Sequence, residues 1–344
     1  MHRIMKKLIL LFSVLFAQGV NAQEIEGLLL AGTEDVNTLM QKYLNPAMKG
    51  VNYNLNNGWY TTAKTHKAWG FDITFTVNGS IISEEDKNFT FDENDYTFLT
   101  VDGGTQEYPT LLGGDASSVP IQVAIEAEGN QVQLAEILMP DGVAKDLPVS
   151  LVPSVMVQAG LGLPFNTNLK IRYVPNVGND NNEGNLFGVA LMHDIMQYFG
   201  PLDRLPLNVS VLGGFTRVNV DYNLQGVDLI PGSNQLGEFK INSWTVQGVA
   251  SLDFPIITIY GGAGYGFGTS TFNMRGEYVL EYTEENSGQT ITQTITDPLS
   301  LDFNAGGPSM TLGLRFNLGF FKLFGNYTLQ EYQTFTTGMS FSFR

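Results

Sequence analysis

The sequence contains no cysteine. Disulfides, thiol catalysis and cysteine metal sites are therefore excluded, and stability rests on packing and backbone pairing. Charge is scarce too: Asp, Glu, Lys and Arg make up 15% of the chain, against roughly 25% in soluble domains. Basic residues are the rarer sign. A leader read over residues 1–22 takes three of the 18 Lys and Arg, leaving 15 against 34 acidic residues, a formal charge of −19. Such a surface repels phosphate and argues against nucleic acid as a partner. Long apolar runs are missing as well. The most apolar stretch beyond the leader, Leu147 to Pro164, is broken by Pro148, Pro153, Gly160 and Gly162 and reads poorly as a helix. A bilayer location would then require a closed barrel, because lipid satisfies no open backbone edge.

What is present fits that requirement. Arg3, Lys6 and Lys7 precede an apolar run from Leu8 to Ala17, and Val20-Asn21-Ala22 offers a cleavage position, the pattern of a secretory signal peptide over 1–22. Glycine is abundant at 38 residues and aromatics reach 12%. Period-two alternation recurs along the chain. Phe71, Ile73, Phe75 and Val77 alternate with Asp72, Thr74 and Thr76, and Trp244, Val246, Gly248, Ala250 and Leu252 with Thr245, Gln247, Val249 and Ser251. Ten main strands are expected, over 68–78, 153–163, 168–176, 184–193, 206–222, 240–253, 256–274, 308–319, 321–332 and 335–344. A parity change between Phe215 and Val218 suggests a bulge near Gly213-Gly214. The faces of 185–192 are ambiguous. Long links at 79–152, 177–183, 223–239 and 275–307 alternate with tighter ones at 164–167, 194–205, 254–255 and 320. Long loops on one side and short turns on the other mark an outer-membrane barrel.

The fold class expected is all-β: an antiparallel transmembrane β-barrel of about 10–14 strands with a short N-terminal helical hatch. The hatch occupies 23–65 and the barrel 66–344, with a long external insert at 79–152. Within the insert, Phe98–Val101 and Ile121–Ala127 look strand-like and suggest a cap over the mouth. A soluble β-sandwich is the alternative, but inward charges such as Arg172 and Arg315 suit a wet lumen better than a dry core. The last strand, with Phe335, Met339, Phe341 and Phe343 on one face, pairs with the first to close the cylinder. Phe341 and Phe343 resemble the carboxy-terminal signal read by the barrel assembly machinery, although the chain ends in Arg344.

Ahead of the barrel, Thr33 could cap a helix carrying Val36, Leu39, Met40 and Tyr43, with Pro46 ending it and 52–58 turn-rich. The segment "LNPAMKG", Leu44 to Gly50, resembles the Asn-Pro-Ala segment of the long-chain fatty-acid transporter (FadL) class of outer-membrane barrels. The resemblance implies that Asn45, Pro46 and Ala47 belong to a hatch folded into the lumen. The stretch "LNNGWYTTAKTHKAWGFDIT" also resembles an uncharacterised family of exported Gram-negative barrels.

Other motifs are weaker. His66 and His193 are separated by 127 residues and suggest neither a metal site nor a barrel hydrolase. The acidic run Ser83 to Tyr96 reads as a solvated loop or as carboxylates bridged by divalent ions to lipopolysaccharide. "IYGGAGYGFG", Ile259 to Gly268, lacks the context of a phosphate loop. Pro175 either ends a strand or, if it lies within the wall, supports a gap between the third and fourth strands, the side exit that FadL-class proteins use for apolar cargo. Lys170, Arg172, Arg315, Lys322, Asp72 and Asp253 should point inward, paired as a network or lining a path. The expected function is passive uptake of a small, apolar molecule through a plugged lumen, with Arg172 and Arg315 as lumen ligands. The alternative is a structural or surface-interaction barrel with a closed lumen. No enzyme activity and no cofactor are expected. The expected partners are outer-membrane lipid and lipopolysaccharide, the assembly machinery and a hydrophobic small molecule.

Overall fold

The computed structural model describes Leu29 and residues 31–115, 117–127, 130–143, 151–178, 182–200, 206–224, 231–283 and 290–343. The leader reading and Arg344 lie outside the described residues.

Among the described residues one long helix, α1 (Thr33–Asn56), precedes the first wall strand, β1 (Phe71–Ile81). Five short strands follow in the insert: β2 (Asn88–Asp92), β3 (Leu99–Thr100), β4 (Thr105–Pro109), β5 (Ile121–Ala127) and β6 (Asn130–Ile137). The wall resumes with β7 (Leu151–Leu163), β8 (Thr167–Gly178), β9 (Asn182–Asp194), β10 (Leu207–Asn223), β11 (Gly232–Asp253) and β12 (Ile257–Thr283). After β13 (Thr290–Thr296), which pairs only with the far end of β12, come β14 (Leu299–Leu318), β15 (Phe321–Leu329) and β16 (Thr334–Phe343). Pairing runs from neighbour to neighbour, and β1–β16 and β11–β12 contacts complete a closed antiparallel ring of ten strands.

Alternation gives the ring two surfaces. Inward positions include Thr74, Thr76, Gln158, Ser243, Thr245, Gln247, Ser251, Thr336 and Ser340, all buried. Outward positions include Ile73, Ile171, Leu191, Val211, Val246, Ile259, Leu312, Leu314, Phe316, Leu323 and Met339, all exposed. Soluble monomers rarely expose apolar patches of more than a few hundred Å². A belt around a closed ring is the lipid-facing surface of a transmembrane barrel. No described helix is long and apolar enough to cross a membrane.

The ring has a turn end and a loop end. At the turn end lie the links 164–166, 254–256 and 319–320, with Phe71 stacked on Phe343 at 5.1 Å where the cylinder closes. The loop end is taller than the sequence suggests. The links expected at 223–239 and 275–307 are largely strand, and β12 runs for 27 residues, where about 9–11 cross a bilayer. The extra length carries inward Phe239, Tyr278, Leu280, Leu299, Leu301 and Phe303. They share one apolar core with the insert (Phe91, Leu99, Tyr108, Ile121, Val123) and with Val36, Leu39, Tyr43 and Leu44 of α1. Cap, helix and protruding strands therefore form one body, each buried side chain contributing about 1.5–3 kcal/mol.

Three local expectations are corrected. β10 pairs with β9 and β11 without a register shift, so there is no bulge at Gly213-Gly214. The broken parity comes from inward Leu212 and Val218, which pack on plug residues instead of facing water. Inward Ala190 and Met192 blur β9 for the same reason. The helix passes through Pro46 and ends at Asn56. Proline removes one helical hydrogen bond, but enclosure by the wall outweighs local propensity. Gly32 takes the cap position, and no side chain caps the helix. Instead, the buried Asp35 carboxylate accepts the backbone N–H groups of Thr97, Phe98 and Leu99 and ties the first turn to the insert.

Candidate functional site: a plugged lumen above a vestibule

Residues 33–70 run down the lumen from the loop end to the turn end. Asparagines stud the last turns of α1, where they are poor helix formers. The wall accepts hydrogen bonds from the side-chain amides of two of them. Asn52 donates to the Ser270 hydroxyl at 2.7 Å and Asn54 to the Val152 carbonyl at 2.6 Å, while Ser80 donates back to Asn54 at 2.8 Å. Glycines supply the room. A Cβ at Gly268 would collide with Asn52, one at Gly266 with Asn56, one at Gly262 with Tyr60, and those at Gly188 and Gly214 would crowd Trp59. The stretch 259–268 is thus a groove for the plug.

Arg172, on β8, is fully buried where α1 ends. Its Nη1 donates to the Leu55 carbonyl at 2.8 Å, Nη2 to the Asn57 carbonyl at 2.6 Å and Nε to Gln158 at 3.2 Å. Its guanidinium lies 3.6 Å from the Trp59 ring centroid. The last carbonyls of a helix carry partial negative charge, so the cation satisfies acceptors that the helix leaves open. Arg172 is a fastener for the plug, each of its three nitrogens donating once. At the loop end, Glu331 accepts from Lys49 at 2.8 Å and from Tyr53 at 2.6 Å. In the cap, burial pushes the Tyr108 phenol up to about 12. Burial and the hydrogen bond to Asp86 raise that of Tyr332.

Below Arg172, Trp59, Tyr60, Ala63, Ala190, Met192, Leu212, Val249 and Tyr260 form an apolar floor. Beneath it the lumen widens into a vestibule of about 670 Å³ that reaches the turn-end rim at Phe254, Pro255, Gly319 and Phe343. Of the six charges expected to point inward, all but Arg172 line it. Asp253 accepts from Thr62, Ser251, Thr258 and Asn208 at 2.6–3.1 Å and from Arg315 at 3.4 Å. Asp72 is bonded to His66 at 2.7 Å and accepts from Thr74 at 2.8 Å. Arg315 also donates to Asn317 at 3.0 Å and Thr61 at 3.3 Å. Asn45, Pro46 and Ala47 stand elsewhere, in mid-helix, with Pro46 and Ala47 buried. The three groups of expected site residues therefore occupy three levels of the lumen. His193 bonds to Thr167 at 2.8 Å, and among the described residues neither it nor His66 is bonded to a serine. Nor do the described residues group three or more metal-ligating side chains. The role of Trp59 was not foreseen, whereas Lys170 was expected to point inward and does line the cavity; Lys64, His66 and Lys67 crowding the start of the first strand were a further visible signal.

Among the described residues, β7 and β8 leave a seam in the wall. β7 pairs with β1 along its length, but with β8 only from Gln158–Arg172 to Leu163–Thr167. Leu151–Val157 and Tyr173–Gly178 are left without each other. Antiparallel strands point the backbone groups of alternate residues to opposite sides. Gly162 exchanges bonds with Trp69 and Gly70, so the odd residues of β7 address β8. The even-numbered Asn166 bonds toward β9, so the odd residues of β8 address β7. Pro153 and Pro175 are both odd, and their missing donors fall on the two facing edges, where proline is tolerated. Pro175 does not end its strand, which continues to Gly178. It coincides with the register shift between Val174 and Val177 against β9. The opening therefore lies between the second and third wall strands, not the third and fourth.

Solved structures similar to this chain include Ail, the attachment invasion locus protein of Yersinia pestis (12% identity, TM-score 0.25, covering 80% of this chain and 99% of that one). Others are the outer membrane protease OmpT of Escherichia coli (11%, 0.29, 82% and 99%) and the translocator domain of the autotransporter NalP of Neisseria meningitidis (10%, 0.24, 91% and 99%). Likenesses this distant carry no argument about activity. No curated protein matches the chain. A family profile matches residues 1–343, and the chain belongs to that group, the family of unknown function DUF6588.

Proposed function

We propose that the barrel lies in the outer membrane of a Gram-negative cell, turn end toward the periplasm, and passively takes up a small, apolar molecule that leaves sideways into the bilayer. The seam between β7 and β8 carries this reading. A closed structural barrel gains nothing from leaving two strand halves unpaired at the wall, where each unsatisfied backbone group in lipid costs several kcal/mol. The cap and plug bar a straight aqueous path and leave the wall as the way out. No catalytic step is part of the proposal. Phe341 and Phe343, beside the closing strand pair, are proposed as the assembly signal, and the acidic insert as the face toward lipopolysaccharide.

A cross-strand disulfide tests the reading. Beyond Gln158–Arg172 the next rung would pair Val157 with Tyr173, both outward. In V157C/Y173C the bridge would clasp the seam where it begins to part. Uptake of a small apolar fluorophore by cells bearing the oxidised variant should fall several-fold and recover on reduction. Unchanged uptake with a bridge verified by gel mobility would reject the side exit. It would favour the second reading, a closed barrel with a surface-interaction cap, which the continuous apolar core shared by cap and plug supports.

A further inference from the structure

The vestibule concentrates the charge that the chain has least of. Lys64, Lys67, Lys170, Arg315 and Lys322 line it, five of the chain's 18 basic residues, against Asp72 and Asp253, two of its 34 acidic ones. In a chain of net charge −16 this cavity alone carries a formal +3 with His66 neutral. The two carboxylates are already occupied, Asp253 by five donor residues and Asp72 by His66 and Thr74. Arg315 is occupied too, by Asp253, Asn317, Thr61 and Thr258. Lys170 is not. It is 7% exposed, it lines the cavity, and among the described residues its ammonium makes no hydrogen bond or close ion pair. Only the more distant charge of Asp72 favours it. Lys64 and Lys67 stand at the rim with their ammonium groups likewise free among the described residues.

A buried cation without a partner is expensive, and several in one walled cavity reinforce the same field. An anion entering from the turn end removes that penalty. Lysine ammonium groups are compact charges suited to oxyanions. The volume matches that of small-molecule sites. We propose that the vestibule is a binding site for a small oxyanion, a phosphate or a carboxylate, held by Lys170 at its depth and by Lys64 and Lys67 at its rim. The site lies on the turn-end side of the point where the seam begins and does not rest on the uptake reading.

Calorimetric titration of the full chain in a neutral detergent tests it, with inorganic phosphate, glycerol 3-phosphate and succinate as probes. Saturable binding of at least one, weakened by added salt, is expected. Lys170→Gln should weaken it at least 10-fold, and Lys240→Gln, at the loop end, should leave it unchanged. Should K170Q fail to show the wild-type heat shift on gels, K64Q/K67Q at the exposed rim serves instead, with several-fold weakening expected. Tighter binding of glycerol 3-phosphate than of phosphate would assign the site to a lipid headgroup. The reverse order would assign it to free phosphate, and a preference for succinate to a carboxylate. Binding of none of the three, or equal binding by wild type, K170Q and K64Q/K67Q, overturns the proposal.

Discussion

Arg172 and Lys170 stand two residues apart on β8, both pointing inward and both buried, yet they belong to different compartments. Arg172 meets the end of α1, and its donors are committed to Leu55, Asn57 and Gln158. Lys170 meets the vestibule and, among the described residues, its ammonium makes no hydrogen bond or close ion pair. Above the floor made by Trp59 and Tyr260, wall and plug interlock through glycines, asparagines and apolar residues. Below it the wall carries lysines, carboxylates and hydroxyls around open space. The inner face of a barrel thus reports what fills it: small and apolar residues where protein is packed, charge where solvent or a ligand enters.

The sharpest way to break this comparison is to remove the fastener. Arg172→Met strands two buried carbonyls, at about 1–3 kcal/mol each, and loses the stack on Trp59, worth about 1–2 kcal/mol. A loss of about 4 kcal/mol is expected, seen as a lowered midpoint of the heat shift on gels. Overfilling the groove comes next. Gly268→Val should destabilise by about 2 kcal/mol through its collision with Asn52, measured in the same assay. Gly213→Ala, outward with nothing within 4 Å of the added carbon, should change stability by less than about 0.5 kcal/mol. An effect below that of Gly268→Val but above that of Gly213→Ala belongs to Glu331→Gln, which weakens the clasp on Lys49 and Tyr53. These groups are partly exposed, so about 1 kcal/mol is expected, with the heat shift again as the readout. Of the three charge substitutions, the smallest loss belongs to Lys170. Its replacement by Gln removes an uncompensated charge, so stability should hold within about 1 kcal/mol or rise. A loss as large as that of R172M would mean that the two compartments do not differ.

Much of this was legible in the sequence. Outward residues must be apolar wherever lipid touches them, so the odd positions of 71–77, the even positions of 244–252 and the terminal aromatics reveal ten wall strands. The closure of β16 on β1 follows from the same alternation. Inward positions have no such universal partner. Leu212 and Val218 suggest a bulge only while the lumen is assumed wet, and Ala190 and Met192 blur a strand for the same reason. The tall loop end was hidden because strands beyond the bilayer need no lipid-facing stripe, and 275–283 carries Arg275, Glu277 and Glu281 among its apolar residues. Pro46 and the asparagines of α1 point away from helix, and only enclosure by the wall reverses that preference. Of the candidate site, the inward charges were visible, but not their sorting. Arg172 and Lys170 carry the same sign on the same face, and nothing local says which of them meets a helix end.

The central claim is that residues 33–63 fill the lumen and are held there by Arg172. Planar-bilayer recording tests it most directly, comparing the wild type, R172M and a chain lacking 33–63. The account expects a silent wild type, steady conductance steps from the deleted chain, and intermittent steps from R172M as the plug loosens. Steps of equal size and frequency from all three would contradict it.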